Sequence, residues 1–160
     1  MHRRHSDLTG AHGNPVDCPP TACHRPPRRG DLPSERRALE ASLALVDSAI
    51  KERGDDERIH AARGLTLAGL GRRAEALREA SWLHESLPYR HDKFQGHVVA
   101  ENRARIMAQL GETDAALDEI ESLLAEPSHV SVHTLRLDPS WDPIRDQPRF
   151  RALLAKYAPR

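Results

Sequence analysis

The chain balances 24 Lys and Arg against 24 Asp and Glu over its 160 residues, so no net field draws it to DNA, RNA or an anionic membrane. Its length suits one compact domain with a flexible end, and no run approaches the roughly 18 to 20 apolar residues that span a bilayer. Aromatics make up 4% of the chain while Ala, Leu, Arg and Glu dominate its middle, a composition that favours helix.

Residues 1–33 hold six of the twelve prolines, four of the ten histidines and both cysteines. Large apolar side chains are almost absent beyond Leu8, Val16 and Leu32. Such a segment cannot offset an ordering cost of about 1–2 kcal/mol per residue, so it is predicted to be disordered. No apolar secretory core follows Met1 to His5, and Cys18 and Cys23 are too local to staple a secreted fold, which together point to a cytoplasmic protein. Cys18-Pro-Pro-Thr-Ala-Cys23-His24 sets two thiols beside an imidazole. A haem attachment motif spaces its cysteines more closely, and structural zinc needs a fourth ligand on a folded frame. The segment is read as a solvated stretch, and neither metal nor cofactor is predicted; a small metal- or haem-dependent redox protein built on Cys18 to His24 is the alternative that it leaves.

Helical text begins at Pro33-Ser34-Glu35, with Ser34 as the expected cap. Leu39, Leu43, Val46 and Ile50 recur at steps of four, three and four, one stripe of a helix. Gly54-Asp55-Asp56 ends it and starts another over Glu57 to Leu70, which Gly71 closes. A third runs from Arg72 to Leu87, with Ala76, Ala80, Leu83 and Leu87 on one face, and stops at Pro88. After a polar connection from Tyr89 to Gln95, a helix over Gly96 to Leu110 presents Val99, Ile106 and Leu110 and stops at Gly111. Thr113 or Asp114 then caps a helix carrying Leu117, Ile120 and Leu124, and Pro127 ends it. No alternating run supports a strand, so the fold class is all-α.

The two clearest hairpins share their punctuation. Gly64, Gly71, Ala76 and Pro88 fall at steps of 7, 5 and 12, and Ala104, Gly111, Ala116 and Ser128 repeat those steps. Here the sequence resembles the tetratricopeptide repeat, a 34-residue helix-turn-helix with small residues where its helices cross. His60, Arg63, Leu67 and Ala80 stand where that family prefers Trp, Leu, Tyr and Phe, and the step from Gly71 to Gly111 is 40, six more than 34. The resemblance implies a right-handed stack of antiparallel helical hairpins over residues 34–128, about two and a half units from Glu35 to Glu126.

Residues 129–160 are expected to close the stack, since its end leaves apolar surface that needs a cover. The run Leu137-Asp-Pro-Ser-Trp141-Asp-Pro-Ile-Arg145 with Phe150, Leu153 and Leu154 resembles tails of repeat arrays in bacterial multidomain signalling proteins. That resemblance admits a second reading, the detached regulatory end of a kinase- or cyclase-class protein. Asp146 is expected to cap a last helix to about Tyr157, with Trp141, Phe150, Leu153 and Leu154 packed on the helix from Asp114 to Glu126.

In the repeat family the first helix of each hairpin lines a groove for an extended peptide. The positions that correspond are Arg58, Ala61, Ala62, Leu65 and Gly69, then Val98, Glu101, Asn102, Arg105 and Gln109. Arg58, Glu101, Asn102, Arg105 and Gln109 are the candidate partner-binding residues, led by Asn102 and Arg105, because an amide pairs with a peptide backbone and a guanidinium with a carboxylate. The remaining histidines, at 60, 84, 91, 97, 129 and 133, are read mostly as surface residues without metalloenzyme spacing. Glu79 and Glu85 are placed on a solvated face. No nucleophile elbow or phosphate loop occurs, so the expectation is a non-enzymatic scaffold for a protein or peptide.

Overall fold

A computed structural model describes residues 32–54, 56–86 and 93–158. The disorder expected for residues 1–33 falls outside the described residues except at Leu32 and Pro33, which are helical and open α1 rather than ending a disordered segment; the Cys18–His24 segment and most of the connection from Tyr89 to Gln95 also lie outside the described residues. Pro33–Arg160 forms one compact unit. Among the described residues there are seven α-helices and one 3-10 helix, and no strand. The α-helices are α1 (Leu32–Arg53), α2 (Glu57–Gly69), α3 (Arg73–Glu85), α4 (Lys93–Gln109), α5 (Thr113–Ala125), α6 (Val132–Leu137) and α7 (Pro148–Lys156); the 3-10 helix spans Pro139–Ile144. None is long and apolar enough to cross a membrane.

The two hairpins turn by the same backbone chemistry. In the first, Gly71 N–H donates to the Ala68 carbonyl and Arg72 N–H to that of Leu67; in the second, Gly111 donates to Ala108 and Glu112 to Met107. These paired bonds satisfy helix-end carbonyls and require a left-handed residue, which glycine adopts without a Cβ clash. Gly71 and Gly111 have φ of +72° and +77°.

Each turn folds a helix back on its predecessor, so α2 packs on α3 and α4 on α5, while α4 also packs against both helices of the first hairpin. The small residues predicted at the crossings are buried: Gly64 lies inside, and Ala76, Ala104 and Ala116 are fully enclosed. At Gly64 the reason is direct. A Cβ there would stand 2.5 Å from Ile106 Cδ1 and 3.1 Å from Glu79 Cβ, so the absent side chain of α2 is the space that the Ile106 side chain of α4 fills. Leu67, Leu83, Ile106, Leu117 and Ile120 complete the interior, each large side chain contributing about 1.5–3 kcal/mol by burial.

Several element ends differ from expectation. Helix α1 starts at Leu32, so Ser34 lies within it; α4 starts at Lys93 rather than Gly96. Glu112 holds the N-cap position of α5, without a side-chain bond, where Thr113 or Asp114 was expected. Gln147 precedes α7, with Pro148 as its first residue, so Asp146 is not its cap; proline suits that position because its missing N–H would be unpaired there anyway.

The closing segment is also built differently. Two short helices absent from the sequence reading, α6 and the 3-10 helix, come first, and the 3-10 helix packs on α4. Trp141 is 1% exposed and lies under Arg105, whose guanidinium carbon is 5.7 Å from the ring centroid. Trp141 is therefore core, as expected, but its element rests on α4 rather than α5. The expected cover of α5 comes from α7, where Arg149 reaches Asp118 and Glu121, and Lys156 reaches Glu121 at 2.9 Å.

Candidate functional site

Helix α4 carries four of the five candidate residues. At about 100° per residue, Val98 marks a crest, Glu101 and Arg105 lie on one shoulder, and Gln95, Val99 and Asn102 lie on the other. Each shoulder borders a cleft. The first, about 180 Å³, lies between α4 and the start of α2 and is lined by Glu57, Arg58, Gln95, Val98, Val99 and Asn102. The second, about 390 Å³, lies between α4 and the closing segment; its walls include Glu101, Arg105, His129, Leu137, Asp138 and Trp141.

The candidates are thus divided. Arg58 and Asn102 share the first cleft, whereas Glu101 and Arg105 share the second. Gln109, exposed in the last turn of α4, lines neither. On α2, Ala61 is buried, and a Cβ at Gly69 would meet Leu39 of α1 at 3.1 Å. A groove running the full length of α2 is therefore partly covered by α1.

Local chemistry fixes the first cleft. Asp56 caps α2 by accepting from Arg58 N–H at 2.9 Å. That bond, joined by the side-chain hydrogen bond and charge of Arg58, holds the Asp56 carboxyl below its ordinary value against the opposing pull of burial. The Arg58 side chain stays 87% exposed, so its charge sits at the rim in high dielectric.

In the second cleft the polar groups are engaged with one another. Glu101 accepts from Arg105 at 2.7 Å on one carboxylate oxygen and meets His129 Nε2 at 2.5 Å with the other. Asp138 accepts from Arg105 at 2.7 Å and from Ser140 N–H at 2.9 Å. Partial burial pulls the Asp138 carboxyl upward, but Ser140 and the charges of Arg105 and Arg145 outweigh it and hold it below the usual range. Arg105, predicted as a lead contact for the partner, joins α4 to the closing segment through these bonds. What remains open is mixed: Leu137 is 67% exposed at the rim, beside the exposed His133 and Thr134.

A further constellation was misread in the sequence. Glu79, assigned above to a solvated face, is 7% exposed, and His60, assigned to the surface, is 8% exposed. His60 Nδ1 lies 2.6 Å from Glu79 and its ring stacks on Trp82 at 3.7 Å. Arg63 donates to Glu79 and, at 2.7 Å, to Asp47 of α1. Asp47 is the main reason that the already high Arg63 pKa is raised further. In the second hairpin Arg103 donates to Glu119. The visible signal was the repeat itself: Arg63 and Glu79 recur 40 residues later as Arg103 and Glu119.

Among the described residues no group of three or more His, Cys, Asp or Glu is disposed to hold a metal ion. No family model matches the chain, and no curated protein or solved structure matches it.

Proposed function

We propose that the chain is a tetratricopeptide-type interaction module that holds an extended segment of a protein partner across α4, and that it catalyses no reaction of its own. The observation that carries this reading is the ridge of α4 at Val98, with Asn102 on its shoulder in the first cleft, between two clefts whose walls come from different elements. An Asn amide offers both a donor and an acceptor to a passing peptide unit. The ion pairs of Arg105 support the reading in a different role from the one its position suggested: they brace the second wall, so that the crest meets a partner on a fixed frame.

The test separates contact from bracing. A partner captured from the host with the full chain is titrated against Arg58→Ala with Asn102→Ala and, separately, Arg105→Ala. Losing one or two peptide hydrogen bonds, about 1–1.5 kcal/mol, weakens binding about tenfold in the double variant at unchanged helicity and melting temperature. Arg105→Ala lowers the melting temperature as well. Unchanged affinity in the double variant would remove the groove.

A further inference from the structure

We infer that α1 is a lid that undocks from the first hairpin as one unit, swinging at Gly54, while the two hairpins and the closing segment stay folded. The opening does not depend on the groove proposed above; only its consequence for a partner does.

Burial separates α1 from the other helices. With 22 residues it is the longest of those described, yet Leu43 is its one buried side chain among the described residues. Leu39, Val46 and Ile50 are half-buried, and Leu45 stands 73% exposed. Helix α4, with 17 residues, encloses Val99, Ala100, Ala104, Ile106, Met107 and Ala108. Hydrophobic stabilisation scales with the apolar area removed from water, so α1 is the helix held least firmly for its length. Elements of that kind open without global unfolding.

The polar ties let α1 leave without stranding a charge. Arg63 of α2 donates at 2.7 Å to Asp47 of α1 and also donates to Glu79 of α3. When α1 undocks, Arg63 keeps Glu79, and Asp47, whose side chain is already 41% exposed, passes to water. Glu79 keeps His60 as well, and the His60 ring keeps Trp82, all within the first hairpin. The main penalty for breaking a buried ion pair, a charge left inside without its partner, is therefore avoided. Both sides of the joint are also finished independently. Gly54 closes α1 with φ of +76°, donating to the Ile50 carbonyl at 2.9 Å, and the space where its Cβ would stand is open. Asp56 caps α2 with its own carboxylate. What the lid covers is the Gly69 end of α2, where Leu39 sits against the position of the missing side chain, so on the groove reading α1 governs access to that end.

Hydrogen exchange of the full chain under native conditions, read amide by amide, tests the lid. An undocked helix of this length is marginal in water, so undocking releases its amides together. Amides from Leu43 to Ile50 should share one opening constant, larger by about tenfold or more than that of the α4 amides from Ala104 to Ala108. Asp47→Asn, which weakens the tie to Arg63, should raise the α1 constant about fivefold and leave α2 to α5 unchanged. Gly69→Leu, made at an exposed site, fills the seat of Leu39 and should also raise it. Protection of α1 equal to that of α4 overturns the lid. So does protection that declines steadily from Ile50 toward Leu43, which is fraying, and so does equal acceleration of α1, α2 and α3 in Asp47→Asn, which makes them one cooperative unit. No partner enters this measurement, so failure of the lid leaves the groove standing, and unchanged binding in the Arg58 and Asn102 double variant leaves the lid.

Discussion

In the hairpin α2–α3 a carboxylate on the second helix takes a guanidinium from the first, sixteen residues back, and the hairpin α4–α5 repeats the arrangement with Arg103 and Glu119. The surroundings differ. Around the first pair stand His60, Trp82 and Asp47; the positions 40 residues after His60 and Trp82 are a buried Ala100 and an exposed Ser122. The crossings differ too, Gly64 in one and Ala104 in the other, with Thr66 and Ala80 giving way to the bulkier Ile106 and Ile120. Turn, small crossing residue and ion pair are common to both hairpins, so they are the parts that set one helix against the other. The rest is filling, adjusted to whatever packs outside: α1 on the first hairpin, the closing segment on the second.

Removing the shared carboxylate should break the likeness most. Glu119→Ala leaves Arg103 with no second carboxylate among its hydrogen bonds to the described residues, and loss of one partner from a mostly buried pair costs about 3 kcal/mol. Glu79→Ala should cost less, about 2 kcal/mol, because Asp47 still neutralises Arg63 and Trp82 still covers the His60 ring. Urea unfolding measures both; the reverse order would deny Asp47 that part.

Next in size is the crossing. Gly64→Leu overpacks the contact with Ile106 by about 2 kcal/mol. Combined with Ile106→Ala, the two losses should fall short of their sum by more than about 1 kcal/mol. Strict additivity in the double-mutant cycle would show that the two residues do not share one space.

The smallest effect sharpens the comparison by being the same in both places. Gly71→Ala and Gly111→Ala each force an L side chain into the left-handed region, for about 1 kcal/mol apiece. Melting temperatures of the two variants should coincide within a degree or two, and a wide gap would mean that the turns are not equivalent.

Much of this frame is legible in the sequence, because it is written locally. Glycine stops, small residues at equal steps and 3.6-residue stripes are short-range signals, and they located α2, α3, α4 and α5. The closing segment was harder: α6 and the 3-10 helix have six residues each, and Pro139 and Pro143 interrupt any period. His60 and Glu79 were misplaced because amphipathicity sorts side chains by type, and a buried polar group is recognised only by its distant partner. The ion pair of Arg105 was out of reach of the sequence for the same reason, since Asp138 lies 33 residues away. The division of the candidates between two clefts depends on where the closing segment folds, which no local pattern states.

Arg73, at the start of α3, reaches across to the turn of the other hairpin, donating to the Leu110 carbonyl and to Glu112. This strap ties the hairpins together beside Gly71 and Gly111, whereas the Arg58–Asn102 cleft opens toward the far ends of the same two helices. The two turns are thereby held in register by a side chain as well as by the packing of α4 on the first hairpin.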